Sequence, residues 1–156
     1  RFHLHFMLLG NSNYIASLQS LALQIAPGRI SFHPAVKPDQ ITQEISKFDI
    51  GFYLLPPTNF NNAVASPNKF FDFIQAGLAV CIGPSPEMKR LCETYGFGIV
   101  APSFEPRIVA ETLNRLSAEN IDGLKMKALD ARLSLNADVE LAKLVALYLK
   151  LAEDPR

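Results

Sequence analysis

The sequence predicts an α/β fold, with a parallel β-sheet covered by helices on both faces, and three observations support this. Short apolar runs alternate with segments whose apolar residues recur every three or four positions, and glycine or proline separates them. Hydrophobic residues make up 49% of the 156 residues and charged residues 19%, which suits a sheet buried on both faces. Strands that alternate with helices favour parallel pairing through right-handed crossovers.

Five strands and the helices between them follow in order along the chain. The predicted strands are Phe2–Leu9, Arg29–His33, Asp49–Leu55, Leu78–Ile82 and Gly98–Val100. Helical periodicity is expected at 15–25, 41–48, 68–76, 86–95 and 105–116, and in a helical tail at 122–152 that breaks near 134–138. Ser12 is expected to cap the first helix, and Thr58–Ser66 is expected to be a polar loop. We expect one domain over residues 1–156.

Charge and cysteine content exclude several classes of function. The 15 basic and 15 acidic residues cancel, so the charge gives no reason to expect nucleic acid or an anionic membrane as partner. Cys81 and Cys92 fit buried thiols in a reducing, cytoplasmic compartment. No run suits a membrane span or a signal peptide. The chain starts at Arg1 directly in a strand-like run, so we expect a fragment of a longer protein.

The segment Ser66–Val80 carries the strongest candidate site. Asn68, Lys69 and Asp72 fall on one polar stripe of a helix that is expected to end at Gly77. The Asp72 carboxylate could accept hydrogen bonds from a ribose diol, and Lys69 could meet a phosphate as a point charge. The alternative for both is a solvated side chain near a helix start, where the helix dipole stabilises the carboxylate.

Other polar residues give weaker signals. The loop after the first strand has one glycine, so its helix start could face a phosphate, but the dinucleotide fingerprint is absent and a plain turn is the alternative. His3 and His5 share one face of a strand, with no evident third ligand, so no metal site is assigned. His33 ends the second strand at the expected cleft. No arrangement of catalytic residues stands out, and the catalytic residues stay unassigned.

Longer motifs resemble a known family. The run PNKFFDFIQAGLAVCIGPSPEMKRL, followed by YGFGIV, resembles the carboxyl-terminal, donor-binding domain of retaining GT-B glycosyltransferases. The segments LLGNSNY, ISFHPAV, FDIGFYLLPP and IVAETLNRLSAE resemble other parts of that domain in the same order. The resemblance implies a Rossmann-like sheet of about five or six strands, as one half of a two-domain enzyme.

The resemblance also implies roles for residues. It implies that Asp72 binds the ribose of the nucleotide. It also implies that the helix start at Asn68 and Lys69 meets the donor sugar or phosphate. It places Gly10–Asn11 near the diphosphate and Ala35–Val36 against the base. The substrate would be a nucleotide-diphospho sugar, with no separate cofactor and no metal. The acceptor would be held by an amino-terminal domain outside this sequence, which could also bring peripheral membrane association. The fragment alone would be inactive.

Departures from the family and two alternatives remain open. The family commonly has two glutamates eight positions apart, whereas here Asp72 follows Val64, so the acid that contacts the sugar is absent or replaced by Asn61, Asn62 or Ser66. One alternative is a non-catalytic flavodoxin-like or receiver-like module, although Asp49 starts the third strand instead of ending it. The other is half of a sugar-nucleotide epimerase.

Overall fold

The protein divides into two compact units in a computed structural model that describes residues 1–153. Unit 1 comprises Arg1–Ile41, and unit 2 begins at Thr42. Each unit contains its own parallel sheet, and we describe each by itself.

Unit 1 is a β–α–β unit. Strand β1 (Leu4–Met7) pairs in parallel with β2 (Ile30–His33), and helix α1 (Ser12–Ile25) connects them. The register places Leu4 opposite Ile30 and Met7 opposite His33. A short 3₁₀ turn at Pro38–Gln40 follows, and α2 (Ile41–Ile45) starts at the last residue of the unit.

Unit 2 contains a three-stranded parallel sheet and six further helices. The strands β3 (Ile50–Tyr53), β4 (Ala79–Ile82) and β5 (Gly98–Val100) lie in the order β3-β4-β5. The helices are α3 (Phe60–Val64), α4 (Asn68–Gln75), α5 (Pro86–Tyr95), α6 (Pro106–Asn114), α7 (Ala118–Ala131) and α8 (Ala137–Glu153). No helix within residues 1–153 is both long enough and apolar enough to cross a bilayer.

The core of unit 2 is built around its central strand. All four residues of β4 are buried. Phe70 and Ile74 from α4, Met88 from α5 and Phe97 before β5 are fully buried in the same cluster. Helix α4 ends as predicted, because Gly77 adopts φ 72°, a left-handed conformation that glycine reaches without steric cost.

The structure confirms the α/β class, the five strands and their parallel pairing. The strands are paired as a sheet of two and a sheet of three, however. β5 has the predicted bounds and β2 and β4 begin one residue later than predicted, whereas β1 and β3 are clearly shorter than their apolar runs. The expectation of an irregular loop over Thr58–Ser66 is wrong, because α3 forms inside it. The Asn59 side chain caps this helix by accepting a hydrogen bond from the Asn62 N–H at 2.8 Å.

Candidate functional site

The start of α4 lies beyond the carboxyl end of β3, where parallel sheets bind ligands. Pro67 occupies the capping position and provides no side-chain hydrogen bond to the first turn. The unpaired N–H groups of a helix start carry a partial positive charge, which attracts anions. The side chains of Asn68 and Lys69 are exposed there and bond to no other residue of the described chain. The α4 start therefore offers polar groups to a ligand.

Asp72 lies one turn further along α4. Its side chain is half-buried, and the loss of hydration raises the pKa of the carboxyl. Within residues 1–153 its carboxylate has neither a hydrogen-bond donor nor a cation as partner. A carboxylate that is partly desolvated and has no partner is unfavourable for the folded protein, and such groups are concentrated at binding sites.

Ser66 gives a second signal at the same helix start. Its Oγ is buried and has no hydrogen-bond partner, the sole side-chain atom in that condition within the described part of the chain. A buried hydroxyl without a partner costs about 1–3 kcal/mol relative to a satisfied one. The sequence named Ser66 only as one of three replacements for a missing acid, because burial of a single oxygen depends on the packing of the whole unit.

A groove of about 850 Å³ runs along one side of Asp72, between α4, α5 and α8. Its volume lies within the range of small-molecule sites. The lining residues are mostly polar or aromatic: Asn68, Phe71, Asp72, Gln75, Glu87, Arg90, Leu91, Thr94, Tyr95, Leu135, Asn136, Ala137, Glu140 and Lys143. Lys69 and Ser66 do not line the groove, although they are close in sequence to residues that do.

The other charged groups of the groove are already paired. Arg90 donates to both carboxylate oxygens of Glu87, at 2.9 and 2.6 Å, and this hydrogen bond is the main cause of a lowered Glu87 pKa. Lys143 Nζ lies 2.6 Å from Glu140 Oε1. Among the charged lining residues of the described chain, Asp72 is therefore the one without an internal counterion.

The remaining predicted site residues lie in unit 1. Asn11 caps α1, because its Oδ1 accepts from the N–H groups of Asn13 at 2.9 Å and Tyr14 at 3.2 Å. The prediction that Ser12 is the cap is wrong, since the helix begins at Ser12 and Asn11 before it caps the first turn. Gly10 precedes it, with open space beside its Cα. Ala35 and Val36 follow β2, as expected for the carboxyl edge of that strand.

Two other groups of candidate residues have structural explanations. Asp49 lies at the amino end of β3, where its carboxylate binds Lys125 Nζ at 2.9 Å, so it occupies the wrong end for a receiver phosphorylation site. Cys81 and Cys92 are buried, and burial raises the pKa of each thiol to about 12. Within residues 1–153, no three His, Cys, Asp or Glu side chains are arranged to hold a metal ion.

Comparison with known proteins does not assign this chain to a family. No family model matches the sequence. No curated protein matches it at a significant level. The function therefore has to be argued from the geometry of α4 and from the residues around it.

Proposed function

We propose that this chain is the donor-binding half of a retaining GT-B glycosyltransferase, which binds a nucleotide-diphospho sugar. The observation that carries the proposal is the half-buried Asp72 carboxylate, which has no partner among the described residues although it lies at the ligand end of the unit 2 sheet. The resemblance of Pro67–Val80 to the family supports the same residue for the same role.

The Asp72 carboxylate has the chemistry that a ribose diol requires. Two adjacent hydroxyls donate hydrogen bonds, and a carboxylate accepts them through two oxygens. In this proposal the diol replaces the hydration that Asp72 has lost. The groove beside it supplies the faces of Phe71 and Tyr95 for apolar parts of the nucleotide.

The start of α4 would hold the diphosphate or the first sugar hydroxyls. The N–H groups of the first turn and the Lys69 ammonium supply positive charge there, and the Ser66 hydroxyl supplies a hydrogen bond that the protein leaves unused. Asn68 offers both a donor and an acceptor. The family resemblance also gives donor-binding roles to Gly10, Asn11, Ala35 and Val36, which lie in unit 1.

The proposed reaction is transfer of the sugar to an acceptor held by an amino-terminal domain outside this sequence. Catalysis would come from positioning the donor and acceptor and from stabilising the negative charge that develops on the leaving diphosphate. Lys69 and the α4 start are the groups of this chain that face such a charge. The activity belongs to carbohydrate biosynthesis, and we expect this half alone to bind the donor without turning it over.

Calorimetric titration of uridine, guanosine and adenosine diphosphates tests the proposal. The parent chain should bind at least one of them. Asp72→Asn keeps the size of the side chain and removes its charge, and we expect affinity to fall by roughly 10- to 100-fold, as for loss of hydrogen bonds to a charged group. Lys69→Gln should weaken binding of the diphosphate more than binding of the nucleoside.

Asp130→Asn is the matched control. Asp130 is an exposed carboxylate on α7 that does not line the groove, and its substitution should leave affinity unchanged. The proposal fails if the parent binds none of the three nucleotides. Equal affinities of the parent and Asp72→Asn would remove Asp72 from the site.

A further inference from the structure

All three histidines of the chain meet on one face of the unit 1 sheet. The ring centroids of His3 and His5 lie 4.7 Å apart, and those of His5 and His33 lie 5.1 Å apart, with both pairs stacked. His3 and His5 are neighbours on β1 at the spacing that puts side chains on the same face. His33 reaches them from the paired strand β2, which the sequence alone could not show.

The distance between two of the ring nitrogens bears on what this cluster can bind. His5 Nδ1 and His33 Nε2 are 2.9 Å apart and form an N–H···N hydrogen bond. The same separation suits two nitrogens that bind one metal ion. With metal–nitrogen bonds of about 2.0–2.1 Å, ligands at a right angle lie about 2.9 Å apart, and tetrahedral ligands about 3.3 Å apart.

The observed separation is nearer to the right-angle value than to the tetrahedral one. Imidazole nitrogens are ligands for zinc, copper and nickel, and a right-angle arrangement is typical of the tetragonal sites of Cu²⁺ and Ni²⁺. His3 does not join them as a third ligand, because no three such side chains within residues 1–153 are arranged to hold a metal, and its Nε2 lies 3.0 Å from Ser31 Oγ. Two imidazoles with solvent in the remaining positions form an open chelate, in keeping with the absence of a three-residue metal cage in the described chain.

We propose that His5 and His33 form a two-histidine chelate on the β1–β2 sheet for a divalent metal ion of tetragonal preference, Cu²⁺ before Ni²⁺ and both before Zn²⁺. The metal takes the position of the N–H proton between the two rings, and that proton moves to the other nitrogen of its own ring, so each neutral imidazole keeps one N–H. The site lies within unit 1, and it is independent of the proposed sugar transfer and of every residue of α4.

Titration of the full chain with Cu²⁺, Ni²⁺ and Zn²⁺ by calorimetry tests this chelate. We expect one Cu²⁺ per chain, with affinity decreasing from Cu²⁺ through Ni²⁺ to Zn²⁺. His33→Gln keeps a hydrogen-bond partner for His5 but removes a metal ligand, and it should weaken Cu²⁺ binding at least tenfold. His5→Ala should do the same. Circular dichroism of each variant establishes that it is folded before titration.

His3→Ala is the matched control. It removes the histidine that stacks on the pair without converging on it, so Cu²⁺ affinity should change less than threefold. The amino group of a peptide whose third residue is histidine can bind Cu²⁺ through that histidine, and in that case His3→Ala would abolish binding whereas His33→Gln would not. That result, equal binding by all variants, or no binding by the parent would each overturn the proposal.

Discussion

The two units differ in how completely they bury their side chains. Among residues 1–153, the buried apolar side chains are in unit 2, with the single exception of Ala22 on α1. In unit 2, β4 has a paired strand on each side and helices packed against it, so every residue of β4 is buried. In unit 1 both strands have one neighbour, and their apolar residues are only half-buried. The comparison shows that burial follows from a central position in a sheet more than from how apolar a strand is.

The same two units differ at their helix starts. The Asn11 side chain accepts hydrogen bonds from two N–H groups of α1, so that helix start is capped by the protein itself. The start of α4 has no such cap, and next to it a buried serine hydroxyl and a half-buried carboxylate have no partner within the described residues. The differences in burial and at the helix starts give four predictions.

The largest expected effect is in the unit 2 core. Phe70→Ala should lower the free energy of unfolding by about 3–5 kcal/mol, because it empties a fully buried site. Phe6→Ala in unit 1 removes a half-buried ring and should cost less than about 2 kcal/mol. Urea denaturation followed by circular dichroism measures both, and hydrogen exchange locates the loss within each unit. Equal losses would contradict the difference between the two units.

The second prediction compares the cost of a glycine substitution at a turn of each unit. Gly28 and Gly77 both have φ 72°, so alanine at either costs about 1–2 kcal/mol for the left-handed backbone. At Gly77 the new Cβ would also lie 2.5 Å from Leu129 Cδ2, which adds about 1–3 kcal/mol, whereas no atom lies within 4 Å at Gly28.

Gly77→Ala should therefore be the more destabilising of the two glycine substitutions in thermal unfolding. If Gly28→Ala proved equally costly, the backbone conformation and not the contact with Leu129 would account for the whole effect.

The third prediction separates the two helix starts. Asn11→Ala should lower stability by about 1 kcal/mol, because the α1 cap is lost. Ser66→Ala should leave stability unchanged or slightly higher, since the hydroxyl that it removes has no partner. Urea denaturation of both variants gives the comparison. A marked loss of stability in Ser66→Ala would mean that this hydroxyl has a structural partner.

The smallest effect concerns the charge of Asp72. Burial raises its pKa in the folded protein above the unfolded value of 3.8, so the folded state holds its proton to higher pH. The parent should therefore lose a little stability as pH rises through the interval just above 3.8, and Asp72→Asn should not lose it. Unfolding midpoints at pH 3 and pH 7 test this, with Asp130→Asn as control. A variant less stable than the parent at neutral pH would show that Asp72 has a stabilising partner.

Local sequence patterns were enough to locate most elements of this protein. Pro86 and Glu87 mark the start of α5, and Gly96 ends it in a left-handed conformation, as predicted. The apolar residues of α4 identified its buried face, where Phe70 and Ile74 lie. β1 and β3 were predicted too long, because apolar residues such as Phe2 and Leu55 continue beyond the last ladder hydrogen bonds. α3 was missed because Asn59, Asn61 and Asn62 are typical of turns and loops, so the segment was taken as irregular.

The sequence by itself determined the α/β class, the order of the strands and the candidate residues Asn68, Lys69 and Asp72, because spacing and turn residues act over a few neighbours. The tertiary structure decided that the strands pair as two sheets, that the Ser66 hydroxyl is buried without a partner, and that His33 reaches His5. These facts depend on contacts between residues far apart in the chain, which local patterns do not specify.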